Sequence, residues 1–422
     1  MKVLHTSDWH LGRVFHGAPL LADQERALSR VVEIAHEAAV DVVVVAGDLY
    51  DRAIPPADAV DLLGEVLREL ADLGVHVVAI TGNHDSPNRV GSLDPVLRRE
   101  VTLRGRFDAA TPVVVPDPAG GPDLVVHPVP YLEPLAARPD QRAPVAVDGR
   151  NGVVPGAASA RPWRATQHEV LAHALGAVRA DLAARGSVRS VVVAHAFVAG
   201  AAPSDSEREL SVGGVDRVPV SVFDGISYTA LGHLHRPQEL TGRVAYSGSL
   251  LPYSFSETAP SSVRVIDIAA DGSVAAEVVP LGVERRAATL SGRLDGLLAD
   301  PAHRAAEAAW VRARLTDEVL PRHAMARLRD RFPHAVVLEH VAPARVGGTD
   351  DIRRRDGGIS PLDLALAFVA ERVGRPVDDA EASLLWAAFD SVAARQREQR
   401  PVGTAPADRH QSAAPPDAGA VA

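Results

Sequence analysis

Cysteine is missing from all 422 residues, which excludes disulfides, thiolate metal sites and cysteine nucleophiles. Any resident metal must then be held by His, Asp, Glu or Asn, donors suited to Mn²⁺, Mg²⁺, Fe or Zn²⁺ rather than to Cu(I) or iron–sulfur clusters. Lysine is nearly missing too: Lys2 stands alone, and the remaining positive charge is arginine, a bias that points to genome composition rather than function. With 44 basic against 54 acidic residues the formal charge is −10, the wrong sign for a protein that coats nucleic acid. If DNA is the substrate, bound metal, local arginines or a partner must supply the attraction. No apolar run approaches a membrane span, and the first residues enter a strand-like Val3-Leu4-His5 without a signal-peptide core, so the expected address is the cytoplasm with no membrane contact. What remains is ordinary for a globular chain of two or three domains, 46% hydrophobic and 23% charged.

The stretch Asp41-Val-Val-Val-Val-Ala-Gly-Asp-Leu-Tyr-Asp51 organises the rest. Val42 to Ala46 form an apolar run without alternation, the pattern of a strand covered on both faces. Gly47 lets the chain turn, and Asp48 emerges at the carboxyl end of the strand, where ligands of open α/β sheets collect. A capping Asp before a helix would read the same way, so the company of Asp48 decides. Asp8 and His10 follow a strand at Lys2 to Ser7; Asn83 and His84 follow Val75 to Ile80. His195 ends a strand at Val188 to Val193, and His233 with His235 follow Tyr228 to Leu231. Residues i and i+2 of an extended segment project to one side, so Asp8 with His10, and His233 with His235, are expected to present paired ligands, all along one sheet edge. Asp, His and Asn suit two divalent ions, with Asp48 the candidate bridge because a carboxylate has two oxygens. Two such ions can activate a water and stabilise both oxygens of an in-line phosphoryl displacement.

Asp8-Trp9-His10, Gly47-Asp48 with Asp51, Gly82-Asn83-His84-Asp85, His195 and Gly232-His233-Leu234-His235 together resemble the ordered signature of the calcineurin-like metallophosphoesterases. A narrower resemblance, to the SbcD family of nuclease subunits of bacterial SbcCD exonucleases, rests on Ser204 to Arg208, Leu210 to Gly214, Ala230 to Gln238 and Tyr246 to Ser256. The resemblance implies one metal held by Asp8, His10, Asp48 and His235, and a second by Asp48, Asn83, His195 and His233. The favoured ions are Mn²⁺, with Mg²⁺ as the alternative. His84 matches the residue that assists the leaving group, and Asp51 stands where phosphatase relatives keep a carboxylate against that histidine. Arg52 is a candidate phosphate contact and Trp9 a candidate base-stacking group, weighed against a solvated arginine and a pocket wall. The implied fold is α/β, a four-layer metallophosphoesterase sandwich of two mixed β-sheets flanked by helices, with a small α+β capping domain and a C-terminal helical segment.

The expected organisation is a nuclease domain at 1–268, the cap at 269–346, a linker at 347–358, a helical segment at 359–396 and a disordered tail at 397–422. Ala136 to Pro162 is expected to be a mobile surface insertion, and strands at Arg243 to Tyr246 and Val263 to Ile268 follow at hairpin-like spacing. The resemblance implies cleavage of double-stranded DNA ends and hairpins under the control of an SbcC-type coiled-coil ATPase, which the apolar face of the 359–396 helices would dock. It also implies a homodimer within a heterotetramer, paired through the surface around Leu62, Leu63, Val66, Leu67 and Leu70, residues that would ordinarily be core. A phosphatase or cyclic-nucleotide phosphodiesterase would share all five motifs; a non-catalytic scaffold would have lost ligands, and none of the expected positions is substituted. Asp85 reads as a loop-ordering carboxylate.

Overall fold

The structure, a computed structural model, describes residues 1–134, 166–186, 188–207, 217–341 and 361–398. The expected insertion, the stretch Leu210 to Gly214, the linker and nearly all of the tail lie outside the described residues. The chain divides into two compact units, Met1–Ala342 and Pro343–Ala422.

In the first unit the order begins β1 (Lys2–Thr6), a short hairpin β2 (Val14–Phe15) and β3 (Ala18–Pro19), α1 (Leu21–Glu37), β4 (Val42–Val45), α2 (Ala57–Asp72), β5 (His76–Ile80), α3 (Pro87–Gly91) and β6 (Val101–Arg104). It continues through β7 (Val113–Val115), β8 (Leu124–Val129), α4 (Gln167–Arg185), β9 (Arg189–His195), β10 (Tyr228–Gly232), β11 (Gln238–Thr241), β12 (Val244–Tyr246), β13 (Ser262–Ile268) and β14 (Val274–Pro280). One six-stranded sheet runs β14-β13-β1-β4-β5-β6 and a second runs β11-β12-β10-β9-β8-β7, both mixing parallel and antiparallel pairs.

The unbroken valines of β4 have a simple cause. Val42 and Val44 face the second sheet and join Val78, Ile80, Val126, Val191 and Val193 between the sheets. Val43 and Val45 face the other way and pack with Leu28, Val31, Leu63 and Leu70 of α1 and α2. The outer face of the second sheet buries Val192, Ala194 and Leu231 against Leu171, Leu175 and Val178 of α4. Helix, sheet, sheet and helix therefore form four layers, and strands covered on both faces lose the alternation that would mark a solvated face. α4 opens with a reciprocal cap between Thr166 and Glu169.

Two expectations are corrected. β12 and β13 are not a hairpin: β12 belongs to the second sheet and β13 to the first. The intervening segment crosses from one sheet to the other, and β13 instead forms its hairpin with β14. β14, expected to open the cap, is thus the edge strand of the first sheet, so the expected boundary at 268 falls inside this hairpin.

Beyond it lie β15 (Ala287–Gly292), α5 (Leu294–Ala299), β16 (Trp310–Leu315), α6 (Ala324–Arg331) and β17 (Ala335–His340), a parallel three-stranded sheet with its own core of Leu290, Leu294, Val311, Leu315, Leu328 and Phe332. Trp310 and Phe15 meet edge-on with ring centres 5.8 Å apart. The second unit contains α7 (Pro361–Val373) and α8 (Asp379–Glu398). No described helix is long and apolar enough to cross a membrane.

Candidate metal centre

Residues following β1, β4 and β5 in one sheet meet His195 at the end of β9 and residues following β10 in the other. The expectation of a single sheet edge is therefore replaced by two facing edges. The expectation of extended pairs also changes, because Asp8, His10 and Asp48 sit at φ of 52°, 45° and 50°, and His233 at 106°. Non-glycine residues in this region carry strain of about 1–3 kcal/mol each and persist where the surroundings hold them. Here the holding contacts are main-chain: Asp8 N donates to Gly47 O at 3.0 Å and His10 N to Asp48 O at 2.9 Å. Left-handed turns, not strand alternation, aim these side chains inward.

The resulting cluster is buried. Ligand atoms of Asp8, His10 and His235 lie within 4.8 Å of one another, as do those of Asp8, Asp48 and His195, and those of His10, Asp48 and His84. Asp48 Oδ2 is 3.6 Å from His10 Nε2 and 3.5 Å from His195 Nε2, between the two groups. Its other oxygen accepts the backbone N–H of His84 at 2.8 Å. Asn83 Oδ1 lies 2.9 Å from His195 Nε2 and 3.2 Å from His233 Nδ1. All seven expected ligands thus share one site, with His235 beside Asp8 and His10, and His233 beside Asn83 and His195.

Electrostatics fit a cation. Burial holds His10 and His233 well below the usual imidazole range and lowers His195, so all three are neutral donors. Burial, then Asp85 and Asp8, push the Asp48 carboxyl well up. The upward push on Asp48 and the downward push on these three imidazoles mark a buried site short of positive charge, and His10 Nδ1 has no hydrogen-bond partner. A pair of divalent ions with mixed oxygen and nitrogen preference matches that deficit, and the residues present fit it. His235 departs from the other imidazoles: burial opposes its charge, but Glu257, Asp8 and Glu207 together overcome burial and raise it.

Several side chains stand elsewhere than expected. Asp51 meets His84 through its backbone carbonyl, 2.8 Å from His84 Nδ1, while its carboxylate accepts from Arg13 at 3.1 Å. Trp9 is fully buried with its Nε1 donating to Thr6 Oγ1 at 3.0 Å, so it cannot stack on a base. Arg52 is exposed on the loop beside Asp51. Asp85 orders the loops as expected, accepting from Leu49 N, Tyr50 N and Gly82 N at 2.9–3.0 Å, and burial places its carboxyl at about 6 despite those bonds. Leu62, Leu63, Val66, Leu67 and Leu70 are buried in the chain's own core, because α2 packs that face on the first sheet. Any pairing surface between copies must use other residues.

Reading the sequence missed the supports. Gln24 is fully buried, donating to the carbonyls of Trp9 and His10 at 3.0 and 2.8 Å and accepting from Gly12 N at 3.1 Å. Tyr253 donates to Trp9 O at 2.6 Å, and Arg13 stacks 4.7 Å above its ring. Ser206, Glu207 and Glu257 surround His235. The one available signal was that Ser204–Arg208 and Tyr246–Ser256 stand out as motif-like stretches, but no spacing rule assigned them a role.

Two sheets meeting along a cluster of Asp, Asn and His define a phosphoesterase sandwich built for metal. A family model described as calcineurin-like phosphoesterase matches residues 1–237, more than half of the chain, and the chain belongs to that family. Solved structures with a related course include TT1561 of Thermus thermophilus, at 14% identity and a TM-score of 0.36 over 66% of this chain and 98% of that one. A dimetal phosphatase of Danio rerio matches at 13% identity and 0.39 over 67% and 96%. The E. coli phosphoesterase YfcE matches at 16% and 0.25 over 66% and 100%. Family membership rests on the first match alone.

Proposed function

We propose that this chain is an SbcD-type nuclease subunit that hydrolyses phosphodiester bonds at double-stranded DNA ends and hairpins, as a 3′–5′ exonuclease and endonuclease serving DNA repair, recombination and replication. The observation that carries the reading is local. The stretches that resemble SbcD rather than the wider family contribute Ser206 and Glu207, which hold His235, and Tyr253, which meets its ring edge-on beside the ligand cluster. Two divalent cations, Mn²⁺ by resemblance, would supply Lewis-acid charge to activate a water and neutralise the phosphate.

The chain's own part is positioning and proton handling. Asp48 reaches toward both ligand groups and, through His84 N, fixes the loop that carries His84. The Asp51 carbonyl can only accept, so His84 Nδ1 donates to it, and Nε2 is the nitrogen that delivers a proton to the departing sugar oxygen. Tyr253, buried edge-on against the His10 ring with centres 5.2 Å apart, excludes water from that side of it. The proposal extends to partners: α7 and α8 dock an SbcC-type ATPase, and the assembly contains two copies of this chain.

His84→Gln tests the mechanism. General acid–base groups contribute about 10²–10⁴-fold, so cleavage of hairpin DNA in Mn²⁺ should fall by that factor while two ions remain bound; undiminished cleavage removes His84 from the reaction. Comparing turnover of hairpin DNA with that of small phosphoesters and cyclic nucleotides, with and without co-expressed SbcC-type ATPase and ATP, tests the substrate. Faster turnover of the small substrates would make the chain a phosphatase or cyclic-nucleotide phosphodiesterase, and turnover of neither would leave the scaffold reading.

A further inference from the structure

His235 is gripped from two directions by residues far away in sequence. Its backbone N–H donates to Glu207 Oε1 at 2.8 Å. Its ring Nδ1 lies 2.5 Å from Ser206 Oγ, and Ser206 Oγ in turn donates to Glu257 Oε1. A carboxylate only accepts, so the single hydroxyl hydrogen of Ser206 is committed to Glu257, and the Ser206 oxygen must receive the hydrogen on His235 Nδ1. The tautomer follows: Nδ1 carries the hydrogen, and Nε2, 3.1 Å from His10 Nε2, turns its lone pair toward the group formed with Asp8 and His10.

Glu257 is itself immobilised, buried in the segment that crosses between the sheets. Its Oε2 accepts from Tyr253 N at 2.9 Å, and Oε1 lies 2.8 Å from Ser204 Oγ. The other side of the centre is built differently. His195 Nδ1 donates to the main-chain carbonyl of Ala46 at 2.9 Å, so its ring needs no side chain to orient it. One half of the centre is thus oriented by backbone and the other by a removable side-chain relay.

We propose that Glu257, acting through Ser206, is the positioning residue that fixes the ring and tautomer of His235, so that Nε2 offers its lone pair to a divalent cation shared with Asp8 and His10. The inference rests on the reading of the cluster as a metal centre. Outer partners of metal-bound imidazoles typically contribute about 10–100-fold to affinity. Because His195 is oriented by Ala46, disturbance of the relay should weaken one ion and spare the other.

The experiment is Mn²⁺ titration of the metal-stripped full-length protein, followed by calorimetry and by electron paramagnetic resonance, for the unaltered chain, Ser206→Ala, Glu257→Gln and the double variant. The unaltered protein should take up two ions. Each single variant should bind one ion about 10–100-fold more weakly and the other unchanged, and the double variant should lose no more than the weaker single, as expected of residues that act in series. Imidazole ¹⁵N spectra of the metal-free protein, at a pH where the ring is neutral, should show His235 protonated at Nδ1 and a mixture of tautomers in Ser206→Ala. Unaltered affinities in both single variants, equal weakening of both ions, or additive losses would overturn the relay. Failure of the unaltered protein to bind Mn²⁺ would overturn the metal-centre reading, and the relay with it.

Discussion

His5 shows how much a single buried side chain decides. It is fully buried three residues before Asp8, with Nε2 3.1 Å from Leu231 O and Nδ1 2.9 Å from the Tyr228 hydroxyl. The carbonyl must accept, so Nε2–H donates, Nδ1 receives the tyrosine hydrogen, and the neutral ring clamps the first sheet to the strand that leads into His233. Burial, then the charge of Arg264, lowers its pKa from 6.5 to about 3. Below pH 6.5 the unfolded chain binds a proton that the folded chain refuses. The contribution is therefore complete above 6.5 and is lost as pH falls toward 3, at about 1.4 kcal/mol per pH unit. Gln can repeat both hydrogen bonds without titrating, so urea unfolding of metal-free His5→Gln should show an acid limb shallower by one proton over that window; an unchanged slope would mean His5 is protonated in the folded chain. At this scale the sequence was legible for ligands and opaque for their supports. A ligand after a strand carries a positional signal, whereas Glu257 and Gln24 reach the site across 22 and 14 residues of chain through contacts that no local pattern encodes.

Elements were legible wherever one face met one partner. The valine runs of β4, β5 and β9 read as doubly covered strands because they are, and the periodicity of α1 and α4 matches the side they bury. The errors lie where tertiary contacts override local geometry, as in the left-handed turns at Asp8, His10 and Asp48 and the crossing between β12 and β13. Those turns require close approach of main chains. A Cβ on Gly232 would overlap the Ala46 carbonyl oxygen, the acceptor of His195 Nδ1, and a Cβ on Gly82 would overlap the Asp48 carboxylate. Gly232→Ala should force the two sheet edges apart, with a stability cost of about 1–3 kcal/mol as for an overpacked interior, and weaken both ions together. Loss of stability with Mn²⁺ binding intact would show that the edges can move without disturbing the ligands.

For the whole molecule, the formal charge of −10 and the second unit point the same way. A chain of this sign gains little from duplex DNA by itself, and cations in the centre only partly offset it. Metal should matter to the fold as well as to the reaction: at 100 times the dissociation constant each ion adds about 2.7 kcal/mol, so chelation should lower the urea midpoint, and an unmoved midpoint would mean that no ion binds the folded state preferentially. The proposed partnership would be carried by α7 and α8. Phe368 is 56% exposed, Leu384 73% and Trp386 62%, on helices of 13 and 20 residues that are too short to bury such side chains among themselves. Solvated apolar side chains of that size are costly unless a partner covers them. Deleting residues 359–396 should therefore abolish co-purification with an SbcC-type ATPase while leaving Mn²⁺-dependent cleavage of short DNA, since every ligand precedes residue 236. Leu384→Glu with Trp386→Glu should reproduce the loss without shortening the chain. Retention of the ATPase by both variants would place docking on the first unit and leave these exposed side chains without a role in assembly.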